Sequence, residues 1–169
     1  ELEIKVRNEL GVDQQEVTPK EIHDLEPNIK PIYHGGVYYQ YGRHARNPKK
    51  ILLKLYDLFL KKGGKFLKMN INDINFDDEK PVIKAETQSF LFDKIVIACG
   101  SFSKKLTDNL DEKIPLDTER GYHVHFKDCD HLLSRPVIFQ NRGFGITPME
   151  QGLRVVGTVE FGGLDNPLS

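Results

Sequence analysis

Cysteine is scarce in this 169-residue chain: Cys99 and Cys129 are the only two, without repeated spacing. That excludes a disulfide-stapled scaffold and a cysteine-based zinc module. An excess of one charge is also missing. Lys plus Arg number 24 against 25 Asp plus Glu, a formal net charge of −1, so no broad basic field for nucleic acid or anionic lipid follows. The longest apolar stretch, Ile95 to Cys99, falls far short of the ~20 residues that span a bilayer. No G-x-G-x-x-G, P-loop, G-x-S-x-G or H-E-x-x-H occurs, which removes the familiar nucleotide cradles and hydrolase elbows.

What is present is a globular composition, 38% hydrophobic and 29% charged, neither disordered nor membrane-embedded. The length suits one domain or one half of a larger enzyme, and a core that hides roughly 70% of the unfolded surface. The chain opens on Glu1 without an initiator Met, signal or transit peptide, and closes on the turn-rich run Gly162 to Ser169. We therefore expect an excised piece of a longer protein, with the reducing cytoplasm as its default compartment.

Leu2, Val6 and Leu10 recur at helical spacing before a capping Gly11, although the alternation Leu2, Ile4, Val6 also fits a strand. Thr18-Pro19-Lys20-Glu21 has the form of a capping box, and Pro27 should end that helix near Leu25-Glu26. Tyr33 to Tyr41 reads as a strand or hairpin edge. Pro48 leads into the best helix of the chain, with Ile51, Leu52, Leu55, Leu58 and Phe59 on one face and Gly63-Gly64 as its stop. The period then changes to two. Short strands are predicted at 66–69, 71–76, 81–85 and 88–92, with a turn at Asp77 to Lys80. Ile95 to Ala98 reads as a buried strand before a helix over 103–110. Four further strands follow, at 122–126, 137–140, 144–148 and 153–160. No repeat or low-complexity segment interrupts them.

Chemistry is sparsely marked. His123 and His125 would share one strand face, with Tyr122, Val124 and Phe126 toward the core. Two histidines without a third ligand make a weak metal case, so none is assigned. Ile95 to Ser101 ends in small residues, which either lets backbone approach a planar ligand or simply closes a core strand. Cys99 lacks an activating neighbour in sequence and reads as a small buried packing residue. In the last strand Leu153, Val155, Gly157 and Val159 share a face opposite Arg154, Val156, Thr158 and Glu160, which leaves Glu160 at the strand end beside glycines.

Three stretches taken together carry a resemblance: Asp93 to Ser103, Ile114 to Val124 with its Glu119-Arg120-Gly121-Tyr122-His123, and Ile146 to Phe161 with its Gly152-Leu153-Arg154-Val155. In this order and spacing they resemble the FAD-dependent amino-acid oxidoreductases, the family of D-amino-acid oxidase and glycine oxidase. Within it they look most like the bacterial D-amino-acid dehydrogenase branch. Leu25-Glu26-Pro27, Gly35-Gly36-Val37-Tyr38 and the helix ending on Gly63-Gly64 fit the same pattern, so the resemblance covers nearly the whole chain.

The resemblance implies an α+β fold: a mixed, largely antiparallel substrate-domain sheet with flanking helices, plus part of an FAD-binding α/β domain. It divides the chain into helices and first strands of the substrate domain (1–64), a partial FAD-binding domain (65–113) and the substrate-domain sheet (114–169). The N-terminal Rossmann unit and the C-terminal segment with the Arg that grips the substrate carboxylate would lie outside this chain. Ile71, Ala98, Cys99 and Gly100 would touch the cofactor. Tyr122, His123 and Glu160 are the substrate-pocket candidates, Glu160 standing where glycine oxidases carry an apolar residue. FAD would be held by the full-length protein and not by this piece alone.

The implied reaction is oxidation of an amino acid, a D-amino acid in this branch, to the imino acid by hydride transfer to flavin, with hydrolysis to the 2-oxo acid following. The alternatives are a same-fold 2-hydroxy-acid (2-hydroxyglutarate-type) or sarcosine-type oxidoreductase, and a noncatalytic interaction domain that exposes Tyr33, Tyr38, Tyr39 and Tyr41. We prefer strand packing as the account of those tyrosines. The expected partner is a small amino-acid substrate, with no nucleic acid and no membrane span. A respiratory-chain acceptor at the inner face of the bacterial membrane stays open, as does self-association through a bared apolar face.

Overall fold

The computed structural model describes residues 2–167. Glu1, Leu168 and Ser169, the outermost residues of the two termini discussed above, lie outside the described residues. The chain divides into two compact units. The first comprises the residues up to Leu53 together with Tyr122–Thr158, and the second Lys54–Gly121 together with the residues from Val159 onward.

In the first unit, helix α1 (Leu2–Glu9) ends as its sequence predicts. Gly11 takes φ +70, its N–H bonds to Asn8 and that of Val12 to Arg7, so paired reverse bonds satisfy the last free carbonyls. Strand β1 (Gln15–Val17) pairs antiparallel with β2 (Gly36–Tyr38). Only these three residues of the expected 33–41 strand join a ladder. Between them lies α2 (Pro19–Leu25), started by a complete Thr18/Glu21 capping box with Pro19 in the first turn. Pro27 ends it as expected, with Glu26 at φ −143 outside the helical region.

A four-stranded sheet follows in the order β6 (Arg120–Lys127), β9 (Gly152–Glu160), β8 (Phe144–Met149), β7 (Val137–Phe139). Antiparallel pairs set its register, with Ile146 opposite both Val137 and Val155, and Pro148 opposite Leu153. The small core of this unit, Ile29, Leu133 and Leu153, is packed by Ile22, Tyr33, Val137 and Ile146. The expectation that Val124 and Phe126 face the core is corrected: both are more than half exposed. They lie on β6, which is an edge strand of this sheet.

The tyrosines divide. Tyr33 packs on Phe139 at 5.4 Å between ring centroids, and Tyr38 lies under the Arg135 guanidinium. Tyr39 accepts from Arg7. Tyr41 is largely exposed.

Helix α3 (Pro48–Lys61) runs across the first boundary. Gly63 and Gly64 end it with the same paired reverse bonds as α1, to Leu60 and Phe59. Its apolar stripe is where the sequence puts it, yet no residue of the helix is buried.

The second unit holds a three-stranded antiparallel sheet, β3 (Ile71–Asp77), β4 (Lys80–Ala85) and β5 (Ser89–Leu91). Asp78 and Glu79, both at positive φ, make the two-residue hairpin turn that matches the twist of its strands. Ile74 in β3 is 3% exposed. A 3-10 turn over Gly100–Phe102 leads into α4 (Ser103–Asp108).

Two expected strands are absent among the described residues. Neither 66–69 nor 95–98 joins a ladder, and Val96 is 89% exposed. Both have apolar, strand-like sequences, but a strand exists only through hydrogen bonds to a neighbour, and no neighbour pairs with them here. Cys99, expected to be buried, is exposed for the same reason. No helix of the described residues is long and apolar enough to cross a membrane.

Candidate functional site

In the second unit the cofactor candidates fall on elements that touch. Ile71 is half-buried at the first position of β3 and pairs with Ala85. A register shift between Ile71 and Asp73 marks a bulge there, the kind of irregularity that re-aims side chains at sheet edges. Beside it opens a cavity of about 410 Å³, lined by Lys68, Met69, Asn70 and the Ala85–Gln88 turn.

Ala98, Cys99 and Gly100 form an exposed run that enters the 3-10 turn ahead of α4. Ser103 Oγ accepts from the Cys99 N–H at 3.1 Å, which fixes that peptide at the start of the helix. Gly100 adopts φ +57 with open space where a Cβ would stand, so its backbone offers an unobstructed ledge. Asn109, just after α4, donates to Asp73 Oδ1 at 3.1 Å, which ties the ledge's helix to the strand that Ile71 begins. Accessible backbone of this kind, with no Cβ in the way at Gly100, is a surface that a flat ligand can approach closely.

Glu160 closes β9 in this same unit. Its Oε2 accepts from Arg120 Nη1 at 3.2 Å, and both side chains are about three-quarters buried. Arg120 also donates to the carbonyls of Asn166 (2.9 Å) and Pro167 (3.0 Å). Lys105 in α4 reaches Asp165 at 3.2 Å. Segment 160–167 is thus the link between Glu160 and the helix that follows Ala98 to Gly100. Residue-by-residue reading of the sequence passed over Arg120 as a site residue. The signal was available, since an Arg opening one strand and a Glu closing another sit in two of the quoted motifs.

Tyr122 and His123 belong to the first unit, on β6. Tyr122 is half-buried and His123 exposed. The His123 and His125 rings stand edge to face at 5.4 Å, so the two share a strand face as their spacing requires. Arg154 Nη2 approaches His123 Nδ1 at 3.4 Å. Arg154 is a second residue that the sequence reading did not single out.

Elsewhere in the first unit a buried carboxylate organises a loop. Glu26, 4% exposed, accepts from the Ser134 N–H at 3.1 and 3.0 Å, from the Ser134 hydroxyl, and from Arg135 Nε at 2.9 Å.

This fold and these motifs define a class. The chain belongs to the FAD dependent oxidoreductase family, whose model matches residues 1–169. Among curated proteins it is 29% identical over 162 residues to a D-amino-acid oxidase of Bradyrhizobium diazoefficiens, covering 95% of this chain and 38% of that protein. It is 25% identical over 173 residues to a D-amino acid dehydrogenase of Neisseria gonorrhoeae, covering 98% and 41%. The chain therefore spans about two fifths of the length of the curated relatives it matches.

Solved structures give the same fold. A glycine oxidase from Bacillus cereus superposes with a TM-score of 0.80 at 22% identity, over 96% of this chain and 45% of that one. An L-proline dehydrogenase from P. horikoshii does so with a TM-score of 0.79 at 16% identity, over 96% and 46%.

Proposed function

We propose that this chain is the central part of an FAD-dependent enzyme that oxidises a D-amino acid to its imino acid. The family match over the whole chain carries the reading, and both curated relatives described above are named for D-amino acids. When bound, FAD supplies the two-electron acceptor for oxidation at Cα. The residues proposed to hold it are Ile71, through its backbone beside the cavity, and Ala98, Cys99 and Gly100, through the exposed ledge. The first is supported by the bulge and the adjacent space, the second by the open position at Gly100.

Glu160 is proposed to line the amino-acid pocket from the end of β9, its charge partly balanced by Arg120. For Tyr122 and His123 we propose substrate contacts as well. Such a site needs little proton machinery if the amine arrives neutral. Its residues orient Cα and exclude water, so their loss should appear in KM before kcat. The proposed boundaries remain substrate-domain residues at 1–64 and 114–169 around an FAD-domain portion at 65–113.

The test is the full-length protein. Its flavin absorbance, and the bleaching of that absorbance by D-amino acids, glycine, sarcosine, L-proline and 2-hydroxyglutarate in turn, separates this reading from its same-fold alternatives. Bleaching by 2-hydroxyglutarate or sarcosine alone would replace the substrate class. A colourless protein would favour the interaction domain.

A further inference from the structure

We infer that Arg154, with His123 and Thr147 on either side, is a carboxylate site, and that it gives the substrate pocket a preference for D-amino acids whose side chain carries a second carboxylate, such as D-glutamate. The inference rests on the proposed place of His123 among the substrate contacts.

The sheet puts the three groups on one face. Arg154 in β9 is paired directly with Thr147 in β8, so their side chains emerge on the same side with Cβ atoms about 5 Å apart. From β6 the His123 ring comes within 3.4 Å of Arg154 Nη2, and the His125 ring stands edge to face with it. Leu153 and Ile146, the immediate neighbours along each strand, belong to the apolar cluster of this unit. Alternation therefore turns the Arg154 row away from that cluster. The result is a row of polar side chains across three neighbouring strands.

Charge decides what the row takes. Arg154 is half-buried, and its Nε is enclosed without a hydrogen-bond partner among the described residues. The guanidinium's contact is with His123, and an imidazole in either protonation state brings no negative charge. Among the described residues no carboxylate pairs with Arg154; the nearest in sequence, Glu150, is engaged by Lys50 and Asn47. A guanidinium partly withdrawn from water without a counter-anion costs free energy, and buried polar groups are paired as a rule. An anion supplied from outside the chain removes the imbalance. The enclosed stem fixes where the fork points, and a planar guanidinium matches the two oxygens of a carboxylate. Thr147 and His123 flank that position with further hydrogen-bonding groups.

The experiment uses the full-length flavoprotein with D-glutamate and D-glutamine, which match in size and differ in side-chain charge. Flavin or dye reduction gives kcat/KM for each, and thermal unfolding with and without glutarate reports binding apart from turnover. Wild type should favour D-glutamate, and glutarate should raise its unfolding midpoint. Arg154→Gln removes the charge. It should lower the D-glutamate to D-glutamine ratio of kcat/KM about tenfold, through the KM for D-glutamate, which is the scale of one charge-assisted hydrogen bond. It should also abolish the glutarate shift. Arg154→Lys keeps the charge and loses the fork, and should lower the ratio about threefold.

An Arg154 that only supports the sheet would lower the unfolding midpoint of both variants with the ratio unchanged, and that result overturns the inference. If Arg154→Gln does not fold, Arg154→Lys carries the prediction, and an unchanged ratio in it overturns the site. Equal losses on both substrates would place Arg154 on the α-carboxylate and overturn the side-chain preference. A wild type that oxidises D-glutamine but not D-glutamate overturns the inference and leaves the proposed function standing. A flavin that no D-amino acid bleaches removes the proposed function, and the glutarate shift then decides the carboxylate site: its loss in Arg154→Gln supports the site, and its absence in wild type overturns it.

Discussion

Replacing Glu26 by Gln keeps the size of the side chain and removes its charge, in a buried and well hydrogen-bonded cluster of the first unit. The wild-type carboxylate is 4% exposed and takes hydrogen bonds from the Ser134 amide, the Ser134 hydroxyl and Arg135 Nε. Removing one partner of a buried ion pair costs about 3–5 kcal/mol when the survivor stays buried. Here the survivor is Arg135, whose side chain is 35% exposed, so it can recover part of its hydration. The amide oxygen of Gln can still accept from Ser134 N–H. Both considerations place the loss at or below the lower limit of that range, about 2–3 kcal/mol.

Urea denaturation reads it directly. With a slope of about 2 kcal/mol per molar, the midpoint should fall by about 1–1.5 M at unchanged slope. A double-mutant cycle with Arg135→Met isolates the pair from the stacking of Arg135 on Tyr38. A loss under about 0.5 kcal/mol, the size of an ordinary surface change, would mean that Glu26 does not organise the 134–135 loop.

Three further outcomes follow from the geometry. Gly152 sits at φ +127, where an added Cβ would stand 2.0 Å from the Phe126 carbonyl oxygen; Gly152→Ala should cost at least about 3 kcal/mol by thermal or urea unfolding, and a near-neutral effect would refute this close approach of β9 to β6. The Thr18 backbone N–H, and then its hydroxyl, hold the Glu21 carboxyl below its ordinary pKa. That contribution is complete above the unfolded value and is lost as pH falls through the lowered folded one; carboxyl titration by NMR should find Glu21 moved part of the way up toward the ordinary value in Thr18→Ala, which keeps the backbone N–H, and an unmoved value would contradict the hydroxyl's part in the capping box. Helix α3 leaves Leu52, Leu55 and Leu58 at least half exposed; the 169-residue chain should therefore bind a dye sensitive to apolar surface or self-associate, and a monodisperse, dye-silent chain would contradict that exposure.

What could be read in the sequence was what the chain decides locally. Thr18, Pro19 and Glu21 start α2 with groups three residues apart, and Gly11 and Gly63 end their helices through their own backbone freedom. Alternation placed β3, β4, β8 and β9 to within a residue or two, because a half-buried strand writes its two faces into every second position.

Ile95 to Ala98 and Phe66 to Met69 carry the right residues for strands, but pairing is a property of the neighbour, and composition cannot supply one. The same limit hid the partners of Glu26, which lie 108 and 109 positions away. It hid the convergence of Arg120 with the 166–167 carbonyls too. The proposed site residues Ala98 to Gly100 and Glu160 were named from motifs in order, whereas the contact of Arg120 with Glu160 needed the folded chain.

The most direct test of the central proposal is a spectrum. The full-length protein, purified and mixed anaerobically with a D-amino acid, should lose its visible flavin bands as the cofactor is reduced, and release the matching 2-oxo acid in equal amount. A protein that carries no flavin, or whose flavin stays oxidised with every amino acid tried, would contradict the account.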